Sequence, residues 1–370
     1  MNSQFWHGKR VLITGHTGFK GSWLSLWLQQ VGANVIGYAL TPPTEPSLFT
    51  VANIAQGMTS IEGDIRDLIK LQAVMAEHKP EIVLHLAAQP LVRYSYKNPI
   101  ETYATNVMGT ANVLEAIRVT GGVQAAVMIT TDKCYENNEW VWGYREQDRL
   151  GGHDPYSNSK ACAELVTAAY RDSYFSQGSV AIASARAGNV IGGGDWALDR
   201  LIPDMVRAFS ENQTVQIRNP NAIRPWQHVL EPISGYLSLA ERLWNEGIPY
   251  AAGWNFGPND EDAKPVSWIV ENLSQLWGDS ASWQTDDGDH PHEATYLKLD
   301  CSKAKQALGW QPQLTLFTAL EWTVEVYKAY RQNADINALM TAQIERFQQL
   351  AQQEPPGVGE TSTNTVLFPV

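Results

Sequence analysis

An apolar run, Val11-Leu12-Ile13-Thr14, passes directly into Gly15-His16-Thr17-Gly18-Phe19-Lys20-Gly21 and then into a helix-forming stretch. Few folds place three glycines between a first strand and a first helix. Glycine lets the backbone turn sharply there. It also lets a pyrophosphate approach the helix N-terminus, where free N–H groups and the helix dipole favour anions. A glycine triplet alone says little, and a turn without a ligand is the bland alternative. In this context, after a strand and before a helix, it reads as a dinucleotide cradle.

The pattern that follows agrees. Apolar strands are expected over 10–14, 34–38, 82–86, 125–130 and 180–186, and amphipathic helices over 20–31, 68–77, 102–118 and 156–174. Continuous apolar strands such as Ala125-Ala126-Val127-Met128-Ile129 suit a parallel sheet covered on both faces. The fold class is α/β, a doubly wound parallel sheet of Rossmann type, with a smaller, mostly C-terminal lobe for substrate. Residues 1–190 are expected to form the dinucleotide domain. Residues 191–353 should form mainly the second lobe, with some segments returning to the first domain, and 354–370 a flexible tail. Helices are expected over 201–209, 231–243, 266–276 and, as one long element, 321–353.

Composition narrows the function. The chain has 370 residues, 44% hydrophobic and 18% charged, enough for a full core. No apolar run is long enough to span a bilayer, and the N-terminus lacks a secretion-signal pattern. Cys134, Cys162 and Cys301 are too scattered for a disulfide framework or a zinc site. No metal is expected, and the cytoplasm is the simplest compartment. The net charge of −12 disfavours nucleic acid, while leaving room for a phosphorylated small molecule held by local arginines. Most of the fourteen tryptophans should be core or interface residues.

Two further motifs carry chemistry. Tyr156 and Lys160 stand four apart at the start of a helix and so share one face. A neighbouring ammonium and a nicotinamide's positive charge should lower the tyrosine pKa towards working pH. Thr131, Asp132 and Lys133 fall where the fifth strand ends, the edge at which doubly wound sheets bind ligands. The bland alternative is that Asp132 and Lys133 cap the strand and pair on the surface.

These motifs together resemble the extended short-chain dehydrogenase/reductase family over about residues 9–330. The supporting pieces are the Gly-x-x-Gly-x-x-Gly spacing, Asp64-Ile65 after the third strand, Leu86-Ala87-Ala88-Gln89 after the fourth, and Asn106 within Thr105-Asn106-Val107-Met108-Gly109-Thr110. The resemblance implies NAD, held by Gly15, His16, Thr17, Gly18, Phe19, Lys20, Gly21, Asp64, Ile65, Leu86, Ala87, Ala88, Gln89, Asn106, Tyr156 and Lys160. One departure stands out. The second strand ends Gly37-Tyr38-Ala39-Leu40-Thr41 without the carboxylate that ordinarily binds the adenine ribose, and no arginine lies between Ser22 and Ile65 to hold a 2′-phosphate. His16 and Lys20 either lie near the pyrophosphate or point to solvent.

Thr-Asp-Lys at the fifth strand resembles the 4,6-dehydratase branch, where epimerases carry no acid. The wording of the glycine loop and of Asn189-Val190-Ile191-Gly192-Gly193-Gly194-Asp195-Trp196 resembles the CDP-glucose 4,6-dehydratase family of bacterial O-antigen synthesis. That resemblance implies CDP-glucose as partner and a homodimer or dimer of dimers, formed through the helices over 102–118 and 156–174. It gives Tyr156 the proton of the sugar 4-hydroxyl, Thr131 a hydrogen bond to the 4-oxygen, and Asp132 the proton for the departing 6-hydroxyl. Lys133, where related enzymes carry a glutamate, is either the C5 base or a cation holding the enolate. Asn189, Arg200, Arg218, Arg224 and His292 are the candidate substrate contacts, with Arg200 and Arg218 the weaker ones. A 4-epimerase, a dehydratase for another nucleotide-hexose and a non-catalytic NAD-binding protein are the alternatives.

Overall fold

The structure, a computed structural model, describes residues 2–178, 180–278, 281–286, 288 and 296–352. Its centre is a seven-stranded sheet. In chain order the strands are β1 (Arg10–Thr14), β2 (Asn34–Ala39), β3 (Thr59–Glu62), β4 (Ile82–His85), β5 (Ala125–Ile129), β6 (Ala181–Arg186) and β7 (Gly253–Asn255). Their spatial order is β7-β6-β5-β4-β1-β2-β3, and every neighbouring pair is parallel. The order reverses between β1 and β4, so a crevice opens there at the carboxyl edge, the position that binds ligands in such sheets.

Side-chain alternation splits the core into two layers. Val11 and Ile13 of β1 pack on one face with Trp23, Trp27 and Leu84. Leu12 packs on the other with Val83, Val113 and Ile117. A third cluster gathers Met205, Phe209, Ile269, Leu273 and Tyr327 around the segments after residue 190. Short strand pairs, Val190–Ile191 with Gln227–His228 and Ile223–Pro225 with Ala263–Pro265, steer the later loops.

Two expectations need correction. The single helix over 321–353 is two helices, Leu316–Arg331 and Ile336–Gln352. Asn333 breaks the run at φ 53°, and Asp335 caps the second helix by accepting from the Ala338 amide at 2.9 Å. The second helix then folds back on the first glycine-loop helix, with Phe347 against Trp27 at 5.6 Å between ring centroids. The helix expected over 102–118 begins at Pro99, winds as a π-helix over Ala104–Met108 and continues over Gly109–Thr120. Tryptophans are mainly core, with Trp6, Trp23, Trp27 and Trp254 fully buried, although Trp142 is exposed.

Candidate active site

The glycine loop leaves the end of β1 as a cradle that side chains would fill. Gly15 adopts φ +78°, and a Cβ on it would lie 2.7 Å from the Ala87 backbone nitrogen. A Cβ on Gly21 would lie 2.1 Å from the Gly15 carbonyl. The helix Phe19–Gln30 starts at Gly18 with no side-chain cap, so its first N–H groups face the loop and can receive a phosphate. This fits a dinucleotide. Leu86, Ala87 and Ala88 border the loop from the end of β4, and Thr17 ties it to β2 through a hydroxyl bond to the Leu40 carbonyl at 2.9 Å.

His16 turns inward, which decides between the two directions left open by sequence. It is fully buried, its ring lies on Gly37 of β2, and its Nε2 meets the Ser60 hydroxyl at 2.7 Å. Burial lowers its pKa to about 4, so it is neutral. The ring thus occupies the end of β2, where the ribose carboxylate is missing. Lys20 also points into the site. Burial, then the positive charges of Arg200 and Lys160, press its pKa down to about 8, against the pull of Asp132 and Asp195. Asp64, expected near the adenine, is engaged by Arg66 at 2.6 Å, which holds its carboxyl below the ordinary range. Ile65 is buried against Gly109.

A chain of hydrogen bonds joins this cradle to the Tyr156 helix. Thr14 meets His85 Nδ1 at 2.7 Å, and His85 Nε2 meets Thr110 at 3.1 Å. Within the π-helix, Asn106 accepts from the Gln89 amide at 2.8 Å, donates to its carbonyl at 3.0 Å and donates to Ser159 at 2.9 Å. Ser159 in turn donates to the Tyr156 carbonyl at 2.7 Å. Single-turn π segments gather at functional sites because they re-aim side chains. Here the wide turn coincides with Asn106.

Helix Pro155–Tyr174 is capped by Asp154, which accepts from the Ser157 amide at 2.9 Å. The Tyr156 amide donates to Ser95 at 3.1 Å, fixing where the helix begins. Lys160 reaches back to the Ile129 carbonyl at 3.3 Å. Opposite them, Thr131 caps the turn Asp132–Cys134 and donates to Asp132 Oδ1 at 2.9 Å. Thr131 also acts on the Tyr156 hydroxyl, so one residue lies beside both candidate catalytic groups. Asp132 is 2% exposed and does not pair with Lys133 on the surface. A Cβ on Gly188 would fall 1.8 Å from its Oδ2, so glycine at 188 is what makes room for the carboxyl.

The expected lowering of the tyrosine pKa is overturned for the protein's own groups. Burial raises the Tyr156 hydroxyl to about 12, and the Thr131 bond and Arg200 offset this only in part. Lys160 is itself lowered to about 8, again by burial. The neighbouring ammonium therefore does not outweigh desolvation, and a further positive charge is needed to favour the phenolate.

Of the candidate substrate residues, Asn189 adopts φ +42° directly after Gly188. Arg200 joins the catalytic cluster. It pairs with Asp195 at 2.7 Å and acts electrostatically on both Tyr156 and Lys20. Arg224 lies in the 223–225 strand opposite Lys264, and Arg218 is half-buried just after the strand Thr214–Ile217. His292 lies outside the described residues. Sequence reasoning missed Glu164. One turn beyond Lys160 on the same helix face, it accepts from Thr130, from Ser184 at 2.5 Å and from Arg186 at 2.8 Å. The i, i+4 continuation from Lys160 was the available signal. Nothing in the spacing points to Ser95 or Gly188. Among the described residues no group of side chains could hold a metal ion.

Residues 12–323 match the family described as GDP-mannose 4,6 dehydratase. The chain belongs to the sugar-nucleotide 4,6-dehydratases. Within that family it is 60% identical over 341 residues to the CDP-glucose 4,6-dehydratase of Salmonella typhimurium, covering 91% of this chain and 95% of the relative. Among solved structures, the dTDP-glucose 4,6-dehydratase of Bacillus anthracis superposes with a TM-score of 0.74 at 23% identity, covering 88% of this chain and 99% of that one. A UDP-glucose 4-epimerase from Thermotoga maritima gives 0.74 at 24% identity, covering 87% and 99%. Those two likenesses establish the fold. Dehydratase and epimerase share it, so backbone shape does not separate the two chemistries.

Proposed function

We propose that the chain converts CDP-glucose to CDP-4-dehydro-6-deoxyglucose with NAD as cofactor, supplying deoxysugar for O-antigen. The observation that carries this reading is the buried carboxyl of Asp132, held by Thr131 beside Tyr156. Tyr156 takes the proton of the sugar 4-hydroxyl, while Thr131 hydrogen-bonds the 4-oxygen. The resulting ketone acidifies the C5 proton, and Lys133 serves C5 as its base or as the cation that holds the enolate. Asp132 protonates the 6-hydroxyl, since hydroxide is a poor leaving group.

The glycine loop from Gly15 to Gly21 would hold the pyrophosphate of NAD, Lys160 its nicotinamide ribose, and Asp64 to Gln89 the adenine side. Bound there, the cofactor would supply reversible hydride transfer between C4 and C6 of the sugar, and a positive charge beside the Tyr156 hydroxyl. Asn189, Arg200, Arg218, Arg224 and His292 are assigned to the nucleotide-sugar. Residues 1–190 are assigned to the cofactor and 191–353 mainly to substrate, in a cytoplasmic enzyme. No helix among the described residues is long and apolar enough to cross a membrane.

Incubation with CDP-, dTDP-, GDP- and UDP-glucose tests the reading. The 4-keto-6-deoxy product, detected by its absorbance in alkali, should form from CDP-glucose alone. Equal turnover of another nucleotide-sugar would overturn the cytidine assignment. Asp132→Asn should retain C4 oxidation and slow elimination by about a hundredfold or more, the usual worth of a positioned acid. Wild-type product formation in that variant would remove Asp132 from its role.

A further inference from the structure

Helix Leu230–Glu246 packs beneath β5 and β6, the strands whose ends carry the catalytic turn. It places Tyr236 in the core with Ile129, Ala185 and Ala187. Tyr236 is fully buried, and its ring meets Phe256 edge-on at 5.8 Å between centroids. Its hydroxyl has no hydrogen-bond partner among the described residues, and neither does Asp132 Oδ2. Buried polar atoms are nearly always paired, so two such atoms need an explanation. A tyrosine kept only for its ring would do better as phenylalanine, because an unpaired buried hydroxyl costs stability.

Its ring partner Phe256 is tied through the Gln227 amide to the carbonyl of Gly188, the residue against Asp132, and Asp132 and Tyr156 both act electrostatically on the Tyr236 hydroxyl. Burial first, then those two negative charges, push its pKa well above that of an ordinary phenol. It stays protonated and remains a donor. Asp132 Oδ1 is already held by Thr131 at 2.9 Å, and the Gly188 backbone closes the side of Oδ2.

We propose that Tyr236 is a positioning residue for Asp132, its hydroxyl donating across one internal water to the carboxyl oxygen that Thr131 does not hold. The inference rests on Asp132 being the acid of the elimination. In that step the electron pair of the C5–H bond becomes the C5–C6 double bond as a base takes the proton. The C6–oxygen bond breaks with its electrons on oxygen. The Asp132 O–H bond breaks as its proton goes to that oxygen, and water leaves. What remains on the protein is a carboxylate. The Tyr236 hydroxyl, through that water, stabilises the oxygen that Thr131 does not hold as the carboxylate forms.

The test is Tyr236→Phe, which removes one oxygen from a buried apolar setting and keeps the ring. Product formation at saturating CDP-glucose should fall about tenfold to a hundredfold, the worth of one hydrogen bond to a charged group, with KM within about twofold. Acid quenching during turnover, followed by borodeuteride reduction, should recover more hexose labelled at C4 with its 6-oxygen intact. A merely structural hydroxyl would not move that partition. In the double variant with Asp132→Asn, the loss should be no greater than in Asp132→Asn alone. Unchanged kcat and partition in Tyr236→Phe, or additive losses in the double variant, would overturn the inference. If Asp132→Asn itself eliminates normally, the acid assignment fails instead, so the two failures are distinguishable.

Discussion

At the scale of single residues, the site is decided by what lies under it. Glu164 is buried with Arg186 and also holds Thr130, the residue before the catalytic turn. Its carboxyl is held below the ordinary range by Arg186 and three hydrogen bonds, which outweigh the opposing effect of burial. The same charge supports the ammonium of Lys160. Glu164→Gln leaves Arg186 as a buried cation without its partner, and calorimetry should show a loss of about 3–5 kcal/mol. Because the folded-state pKa is depressed, the wild-type advantage should be present above the unfolded carboxylate pKa and disappear as pH falls through the folded value. An equal penalty at all pH values would mean that the charge is not the cause.

The residue level is also where sequence reading was most and least successful. That Tyr156, Lys160 and Asp132 would lie at one edge of the sheet was legible because each sits at a fixed offset within one local motif, and the strand order brings those motifs together. Ser95, Gly188 and Tyr236 were not. Their roles depend on contacts made across 61, 56 and 104 positions of chain respectively, counted from Tyr156 or Asp132. The direction of His16 needed Gly37 and Ser60 to be in place beneath it. The tyrosine pKa was misread because spacing reveals a neighbouring charge but not the depth of burial that opposes it.

At the scale of elements, the long β-strands and most helices followed their hydrophobic periods to within a residue or two. The exceptions were places where two helix-forming stretches meet. The break at 332–335 lies between polar residues that suit either state, and only Asn333 and Asp335 mark it. Just before the helix Leu316–Arg331, a buried clamp sets its entry. Glu231, at the start of helix Leu230–Glu246, accepts from the Gln313 and Leu314 amides at 2.9 and 2.7 Å. Burial raises its pKa to about 8. A raised folded-state value means that its contribution to stability is complete below the unfolded value and is lost as pH climbs towards about 8. Glu231→Gln should therefore gain in melting temperature relative to wild type between about pH 5 and pH 8. A constant difference across that range would place the ionisation elsewhere.

At the scale of the whole molecule, two neighbouring elements carry several exposed apolar side chains. Ile100 is 80% exposed, Met108 57%, Leu165 58% and Tyr174 55%. They lie on the Pro99–Thr120 run and the Pro155–Tyr174 helix, the two elements proposed to meet a second copy across a two-fold axis. Light scattering should give at least a dimer, and Leu165→Glu should shift it towards monomer. A wild-type monomer would sink that arrangement. Since Ser159 and Asn106 sit on the inner faces of the same two elements, association would also brace the segment that fixes Tyr156.

The close approach of Gly188 to Asp132 has a consequence for how such a protein changes over generations. Any side chain at 188 displaces the acid before it does anything else, so that position is locked while elimination is selected. Replacing Asp132 by a smaller residue removes that steric constraint on position 188. A laboratory library that varies 188 alone should return dead clones, and the productive variants should be sought among pairs.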